Sequence, residues 1–404
     1  MNPRLIADDV QDYIHQGAAV DLDALSFQPS MFEGVPNAEL IEQIQALSKA
    51  KKKLPNWTVR KGIVYPPKRA IEQSSSQFTA AYKAEVCQQL LSGRLQSAID
   101  LTAGFGVDSA ALSNLFDTFV SVECDPHLNA LLNHNLKLLQ RTHVQVEAST
   151  AEEFLERTPA VDFIYLDPDR RDRTGTRRIG FEHYAPNLFE LYESLISKAR
   201  LVAIKVSPMI DLSYSQKYLP HLVRIDLVSL ENELKELLLW LDPLKASTEV
   251  TLVHAFLYRD QEKQLFTSAF ESTQNKPLPL LSLDGARYII DLPSAFIKSR
   301  YTEKLIKDHP GLHIGFASTP SLLFSREPVT TFPSRLLKIE EVLPYSKQNL
   351  KRFSREAFSI QVKNQKQRPE EVRKRYNIKE SPDHFLFLID SKPGVIIRAT
   401  KVNN

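Results

Sequence analysis

The middle of the chain alternates between short apolar runs and amphipathic stretches. Runs of about four to eight apolar residues are typical of buried strands, and apolar spacings of three and four are typical of helices. The alternation predicts a parallel sheet whose strands are joined by helices. The last three runs have little helix between them, which predicts antiparallel strands at the end of the sheet. The predicted strands are Ala98–Asp100, Thr118–Val122, Val144–Val146, Val161–Leu166, Leu201–Val206, Leu222–Leu230, Glu236–Leu241 and Glu249–Leu257.

The two ends of the chain follow other patterns. Leu40, Ile44 and Leu47 fall on one helix face, and Pro55 ends that helical region. After a polar link, the second half mixes short strands and helices, and it closes with a strand, a helix and a two-stranded hairpin. The predicted segments are a helical N-terminal module with a basic linker over 1–70, an α/β domain over 71–260, a mixed α+β domain over 270–340 and a compact α+β module over 341–404.

Composition narrows the class of protein only a little. The chain has 404 residues, 43% of them hydrophobic and 25% charged, with a net charge of +2. These values are ordinary for a globular protein and predict no global attraction to a polyanion. The two cysteines, Cys87 and Cys124, argue against a disulfide scaffold, a zinc site and an iron–sulfur cluster. With no long apolar run and no signal pattern, we expect a cytoplasmic protein that binds neither membrane nor metal.

Positive charge is concentrated in two segments. Residues 49–69 hold eight Lys/Arg and no acid, and residues 347–380 hold eleven Lys/Arg against four acids. Such a segment contacts nucleic-acid phosphates in some proteins and is solvated surface in others. Trp57 and Tyr65 lie in the first segment, and this mixture suits single-stranded nucleic acid. It suits a linker docked on the protein equally well.

The stretch that starts at Asp100 reads as strand end, glycine turn and helix, the opening unit of a nucleotide-binding α/β fold. Gly104 and Gly106 would let the backbone approach a ligand closely. The acid before them favours a cationic or hydroxyl-bearing ligand over a pyrophosphate. Glu123 ends the second strand, 19 residues after Gly104, where a carboxylate can reach a ribose hydroxyl. The candidates to border an adenine edge follow the third strand and are Thr150 and Ala151.

Asp167-Pro168 follows the fourth strand, at the sheet edge where open α/β folds bind their ligands. Asp167 can act there as a hydrogen-bond acceptor or base. Lys205 ends the neighbouring strand and either pairs with Asp167 or meets the substrate. An arginine-rich loop follows Asp167-Pro168. It can hold phosphates or a carboxylate, or it can form exposed Arg–Asp pairs. The arginines of this loop are Arg170, Arg171, Arg173, Arg177 and Arg178.

Five motifs together resemble one bacterial family, the class I S-adenosylmethionine-dependent methyltransferases that carry a ferredoxin-like insert and a C-terminal THUMP-like domain. The family is common in Bacteroidetes, and the resemblance spans nearly the whole chain. The C-terminal strand Phe385–Ile389 and its neighbours resemble the THUMP-like module. The motifs are Glu72-Gln-Ser-Ser-Ser with Thr79 and Tyr82-Lys83, Asp100-Leu-Thr-Ala-Gly-Phe-Gly-Val-Asp108, Asp167-Pro-Asp-Arg-Arg-Asp172, Lys205-Val-Ser-Pro208, and Glu231-Asn-Glu with Lys235-Glu236.

The resemblance implies an α/β fold with a Rossmann-like methyltransferase core, the N-terminal helical module, and ferredoxin-like and THUMP-like α+β domains at the C-terminus. It implies S-adenosylmethionine as cofactor and RNA, either tRNA or rRNA, as substrate. The expected cofactor-binding residues are Thr79, Lys83, Asp100, Thr102, Gly104, Gly106, Glu123, Thr150 and Asp167. The expected catalytic residues are Asp167, Pro168, Asp169 and Lys205, and the expected substrate-binding residues are Arg170, Arg171 and Arg173.

One departure leaves the methylated atom open. Methyltransferases that act on exocyclic nitrogens often carry Asp-Pro-Pro-aromatic after the fourth strand, whereas this chain has Asp169-Arg170 after Pro168. Two other functions therefore stay open: a non-catalytic RNA-binding or assembly protein on a methyltransferase scaffold, and a small-molecule methyltransferase whose arginines hold an acidic substrate. The sequence does not define the oligomeric state.

Overall fold

The structure is a computed structural model that describes residues 1–17, 20–169, 180–245, 249–260, 262–270, 283, 285–316, 319, 321–363, 367–390 and 394–402. It divides into two compact units. The first unit comprises Met1–Leu230 with Lys235–Ser272, and the second comprises Glu231–Leu234 with Thr273–Asn404. No helix in the described part of the chain is long and apolar enough to cross a membrane.

The first unit begins with the helical module that the sequence predicts. The long helix α3 carries buried Leu40, Ile44 and Leu47 on one face and ends in three lysines. Lysines in a last turn complement the negative end of the helix dipole. A capping box between Ser76 and Thr79 starts α6. The helices are α1 (Asp8–His15), α2 (Leu22–Ser26), α3 (Asn37–Lys53), α4 (Pro55–Thr58), α5 (Lys68–Gln73) and α6 (Gln77–Leu90).

Among the described residues, nine strands of the first unit form one sheet in the order β3-β2-β1-β4-β5-β7-β6-β8-β9. Strands β1 to β5 pair with one another in parallel, and β7 runs antiparallel to β5. β6 and β8 pair in parallel, and β9 returns antiparallel to β8. The strands are β1 (Ser97–Asp100), β2 (Thr118–Val122), β3 (Val144–Glu147), β4 (Val161–Leu166), β5 (Ala199–Val206), β6 (Leu222–Leu230), β7 (Glu233–Leu241), β8 (Thr251–Leu257) and β9 (Lys263–Ala269).

Helices connect the parallel strands, and apolar side chains cover the sheet on both faces. One core joins α6 to the sheet through Phe163, Tyr165 and Trp240. A second core joins the N-terminal helices to the turn after β1 and to the helix after β2. The N-terminal module is therefore packed on the part of the sheet that carries the glycine turn. The connecting helices are α7 (Val107–Leu112), α8 (Pro126–Leu138), α9 (Ala151–Arg157), α10 (Leu188–Lys198) and α11 (Leu212–Tyr218).

In the second unit, seven described strands form a sheet in the order β11-β12-β10-β13-β16-β15-β14. Strands from both predicted C-terminal segments join in this one sheet. Arg300, with φ of +58°, separates two short helices of this unit. The elements are β10 (Tyr288–Asp291), α12 (Ser294–Lys298), α13 (Thr302–Asp308), β11 (His313–Ile314), β12 (Leu322–Ser325), β13 (Arg335–Pro344), α14 (Lys347–Arg352), β14 (Ser359–Lys363), α15 (Pro369–Tyr376), β15 (His384–Ile389) and β16 (Val395–Lys401).

Candidate active site

The turn after β1 depends on its two glycines in different ways. Gly104 and Gly106 have φ of +53° and +89°, which glycine adopts far more readily than other residues. A Cβ at Gly106 would lie 2.2 Å from Leu132 Cδ1 of α8, so only glycine lets that helix pack closely. A Cβ at Gly104 would meet no atom within 4 Å. Gly104 therefore leaves one side of the turn open, and Gly106 lets α8 pack closely against the other side.

Asp100 fixes the conformation of this turn through buried hydrogen bonds. Its side chain is fully buried, where its Oδ1 accepts a hydrogen bond from Thr102 N at 3.1 Å and its Oδ2 accepts one from Ser109 Oγ at 2.6 Å. Burial raises the pKa of Asp100 to about 7, although both hydrogen bonds oppose the rise. Thr102 Oγ1 in turn accepts a hydrogen bond from Asp167 N at 2.6 Å. The turn is thereby joined to the carboxyl end of β4.

Glu123 fastens the turn from the neighbouring strand. Its Oε2 accepts a hydrogen bond from Gly104 N at 2.9 Å, and its Oε1 accepts one from Asp125 N at 2.8 Å. The residue is only half buried. Because each carboxylate oxygen has a second lone pair, Glu123 can also accept two hydrogen bonds from a vicinal diol.

Aromatic residues of the N-terminal module support the same turn. The ring centroids of Trp57 and Tyr65 lie 5.0 and 6.0 Å from that of Phe105, which stands between the two glycines. All three side chains are buried. Trp57 and Tyr65 therefore belong to a linker docked on the protein, and the alternative that they stack on nucleic-acid bases is wrong.

Lys53, the last residue of α3, holds the chain segment that leads into the site. Its Nζ donates hydrogen bonds to the carbonyl oxygens of Ile71, Glu72 and Ser74 at 2.9, 2.7 and 2.5 Å. Burial, reinforced by the positive charge of Lys205, lowers the pKa of Lys53 to about 8. This lysine of the basic segment 49–69 thus faces the protein.

A network of buried charges lies beneath the sheet edge. Lys83 of α6 is 1% exposed, and its Nζ lies 2.8 Å from Asp108 Oδ1 and 2.6 Å from Glu236 Oε2. It also donates a hydrogen bond to Ser75 Oγ at 2.7 Å. Ser75 Oγ and Tyr165 OH donate to Asp108 Oδ2 at 2.7 and 3.0 Å. Burial alone would raise the pKa of Asp108. The positive charges of Lys83 and Lys205 have the larger effect, so the pKa lies below its ordinary value.

Asp167 and Lys205 form an ion pair at the carboxyl ends of β4 and β5. The Lys205 ammonium also donates a weak hydrogen bond to Ser75 Oγ at 3.4 Å, which joins this pair to the buried network. Burial raises the pKa of Asp167, and Lys205 opposes the rise. Burial also acts on Lys205, but Asp167, Glu236 and Asp108 outweigh it and raise the pKa of this lysine. About a third of the Asp167 side chain remains exposed, so this carboxylate can meet a ligand.

Three predicted cofactor residues have structural partners of their own. Thr79 is buried in the capping box of α6, and its hydroxyl donates to Ser76 O at 3.2 Å. Thr150 caps α9 by accepting a hydrogen bond from Glu153 N at 3.2 Å. The Lys83 ammonium is enclosed by its two carboxylate partners. A contact between any of the three and a cofactor stays a prediction.

The turn beyond Asp167 is described only in part. Pro168 is buried, whereas Asp169 is exposed and its backbone pairs with that of Ala185 through hydrogen bonds of 2.9 and 2.7 Å. The predicted substrate-binding residues Arg170, Arg171 and Arg173, together with Arg177 and Arg178, lie outside the described residues. Within the described residues, no group of three or more His, Cys, Asp or Glu side chains could hold a metal ion.

Sequence reasoning missed four members of the site. Ser75, Asp108 and Glu236 stand inside motifs that carry the family resemblance, so that signal was available. Tyr165 lies in the apolar run of β4, where a hydroxyl partner cannot be read from the pattern. Their roles emerge only when α6, α7, β4 and β7 come together.

The order of the sheet, with an antiparallel β7 beside β5, defines the class I methyltransferase fold. Residues 334–401 match the family described as THUMP domain-like. The chain has the fold of a protein from Porphyromonas gingivalis W83 described as a candidate methyltransferase, with a TM-score of 0.80, 22% identity and complete coverage of both chains.

Two further solved structures show more limited similarity. A candidate RNA methyltransferase from Pyrococcus horikoshii matches with a TM-score of 0.30 and 19% identity over 39% of this chain and 75% of the other. An rRNA methylase from Streptococcus thermophilus matches with a TM-score of 0.30 and 14% identity over 40% of this chain and 93% of the other. No curated protein matches this sequence.

Proposed function

We propose that this protein is an S-adenosylmethionine-dependent methyltransferase that acts on RNA. The observation that carries the proposal is the hydrogen bond of 2.9 Å from Gly104 N to Glu123. It joins an open glycine turn to a half-buried carboxylate at the carboxyl edge of the sheet. A nucleoside can then lie on the turn while its ribose hydroxyls donate to Glu123.

The donor set fits S-adenosylmethionine. Glu123 would hold the ribose, and the open face of Gly104 would lie beside the methionine portion. Gly106 and Asp100 act indirectly, since the first admits α8 and the second fixes the shape of the turn. Bound there, the cofactor supplies an electrophilic methyl group on a sulfonium.

Asp167 has the position and chemistry of a group that holds the nucleophile. It is partly exposed, and the raised pKa brings its proton affinity closer to that of a useful general base. Lys205 fixes its orientation through the ion pair. We propose that Asp167 accepts a hydrogen bond from the atom that is methylated, and that Lys205 is a positioning residue.

The C-terminal unit supports RNA as the substrate class. The THUMP domain-like match over residues 334–401 covers the whole of the basic segment 347–380. In this segment α15 presents Lys374 and Arg375 to solvent. Exposed cations of this kind neutralise phosphates, so RNA affinity should fall steeply with salt.

Calorimetry with S-adenosylmethionine tests the cofactor step. We expect binding by the wild-type protein and at least tenfold weaker binding by Glu123→Ala, which removes the ribose acceptors. Asp117→Ala is the matched control, because Asp117 is an exposed acid at the opposite end of β2. Absence of binding by the wild-type protein would overturn the proposal.

Nucleoside profiles test the reaction. Total RNA from cells that lack the gene should lose one methylated nucleoside, and wild-type protein with the cofactor should restore it in vitro. Asp167→Asn should bind the cofactor but fail to restore the nucleoside. RNA binding without any methyl transfer would instead support a non-catalytic RNA-binding protein. Methyl transfer only to small acidic molecules would support a small-molecule methyltransferase.

A further inference from the structure

A cluster of four aromatic side chains lies at the same edge of the sheet as the candidate active site. Phe181 lies at its centre, with ring centroids 5.9 Å from Phe189 and 5.1 Å from Tyr214. The Tyr214 and Tyr218 rings are 4.5 Å apart, and those of Phe189 and Tyr218 are 5.8 Å apart. We call these four residues the aromatic cluster.

The chain topology places this cluster at the carboxyl edge of the sheet. Phe189 is in the first turn of α10, the helix that returns from the end of β4 to the start of β5. Tyr214 is in the first turn of α11, which follows the end of β5. Phe181 is held at the same edge, because Ala185, four residues after it, forms backbone hydrogen bonds with Asp169, which follows β4.

The cluster exposes far more aromatic surface than a core would. Phe189 and Tyr218 are 39% and 41% exposed, and Met209 nearby in the sequence is 66% exposed. Phe181 is fully buried and contacts the Phe189 ring, and Tyr214 contacts the Tyr218 ring. The Lys217 ammonium lies 4.9 Å from the Tyr218 ring centroid. The result is an apolar ring surface with a positive charge at its side.

We propose that the aromatic cluster stacks a nucleobase of the RNA substrate, with Phe189 and Tyr218 as the contact residues. This inference rests on the proposed function. It follows from the position of the rings at the same edge of the sheet as Asp167 and from the lack of an aromatic residue in the sequence Asp167-Pro-Asp-Arg170. Every base has a π face that an aromatic ring can bind, and a nearby lysine can meet the adjoining phosphate.

A fluorescently labelled short single-stranded RNA is the probe for this surface. Tyr218→Leu and Phe189→Leu keep an apolar side chain but remove the ring, and each should weaken RNA binding about tenfold. Tyr218→Phe should bind as the wild type does. Phe27→Leu is the matched control, since Phe27 is an aromatic residue 90% exposed in the N-terminal module.

Two measurements on the same proteins separate the possible results. Cofactor binding and the thermal midpoint should be unchanged in both leucine variants, which excludes unfolding as the cause. RNA carrying 5-iodouridine should form photocrosslinks to peptides containing Phe189 or Tyr218. If wild-type protein binds the RNA and both leucine variants bind it equally well, the cluster does not stack a base and suits a protein partner instead. If wild-type protein binds neither RNA nor cofactor, the proposed function itself fails.

Discussion

Replacing Lys83 by methionine tests whether the buried charge network holds the candidate site together. Methionine has a similar length and no charge, so Lys83→Met removes the ammonium without opening a large cavity. Asp108 and Glu236 would then be two buried carboxylates that have lost their shared counter-ion. We expect the free energy of unfolding to fall by about 3–5 kcal/mol, the usual result of breaking a buried ion pair from one side.

The distances support a value of this size. At 2.8 Å from Asp108 and an effective dielectric constant of about 20, Coulomb attraction is about 6 kcal/mol. The attraction to Glu236, at 2.6 Å, is similar. Desolvation of the ammonium offsets several kcal/mol of this sum. For a unit of about 270 residues, a loss of this size should lower the thermal midpoint of the variant by roughly 5–9 °C.

The difference in stability between the wild type and Lys83→Met should depend on pH. In the wild type the lowered pKa of Asp108 contributes stability that is present above its unfolded pKa of 3.8 and is lost only at more acid pH, so this contribution is constant between pH 8 and pH 5. In Lys83→Met the ammonium is missing, burial dominates, and protonation of Asp108 stabilises the fold. The gap in stability between the two proteins should therefore narrow from pH 8 towards pH 5.

Chemical denaturation at several pH values measures this gap. Lys263→Met is the matched control: it breaks an exposed ion pair with Glu85 and should cost less than about 1 kcal/mol. Equal losses for Lys83→Met and Lys263→Met, or a gap that widens in acid, would refute the reasoning.

Three further changes test the glycine turn. Gly106→Ala should destabilise the protein by about 2 kcal/mol more than Gly93→Ala, since both positions have positive φ but only the first meets Leu132; equal thermal midpoints would contradict this. The pKa of Asp100, about 7 in the fold against 3.8, means that the native state binds more protons, so stability should fall as pH rises from 4 to 7. Asp100→Asn should flatten that slope in denaturation curves. Trp57→Ala should cost about 3–5 kcal/mol and speed amide exchange in the turn, and unchanged exchange would show that Trp57 does not support it.

The parts of this fold that sequence reasoning could predict are those set by local pattern. The strand that ends at Leu166 carries the apolar run Phe163–Leu166, and the glycine turn has its acid and its two glycines within seven residues. Such signals need no knowledge of distant contacts. The carboxyl ends of parallel strands meet at one edge, so the proximity of Asp167 and Lys205 followed from the predicted topology, and the structure confirms it.

The buried network could not be predicted in the same way. Lys83 and Glu236 are far apart in the sequence, and charged residues are almost never fully buried unless paired. Each of them alone therefore indicates a solvated surface. Only the packing of α6 against the sheet brings the charges together, and that packing depends on apolar contacts such as those of Trp240.

The basic segment 49–69 shows why a charge run alone is a weak sign of RNA binding. Lys53 binds backbone carbonyls, and Trp57 lies under the glycine turn, so both the charge and the ring serve the protein interior. The aromatic cluster also combines basic and aromatic residues, but there Phe189 and Tyr218 are exposed at the sheet edge and can contact a ligand. Burial, which composition does not reveal, separates the two cases. The N-terminal module therefore supports the glycine turn, and the proposal of an RNA substrate rests on the C-terminal unit and the aromatic cluster.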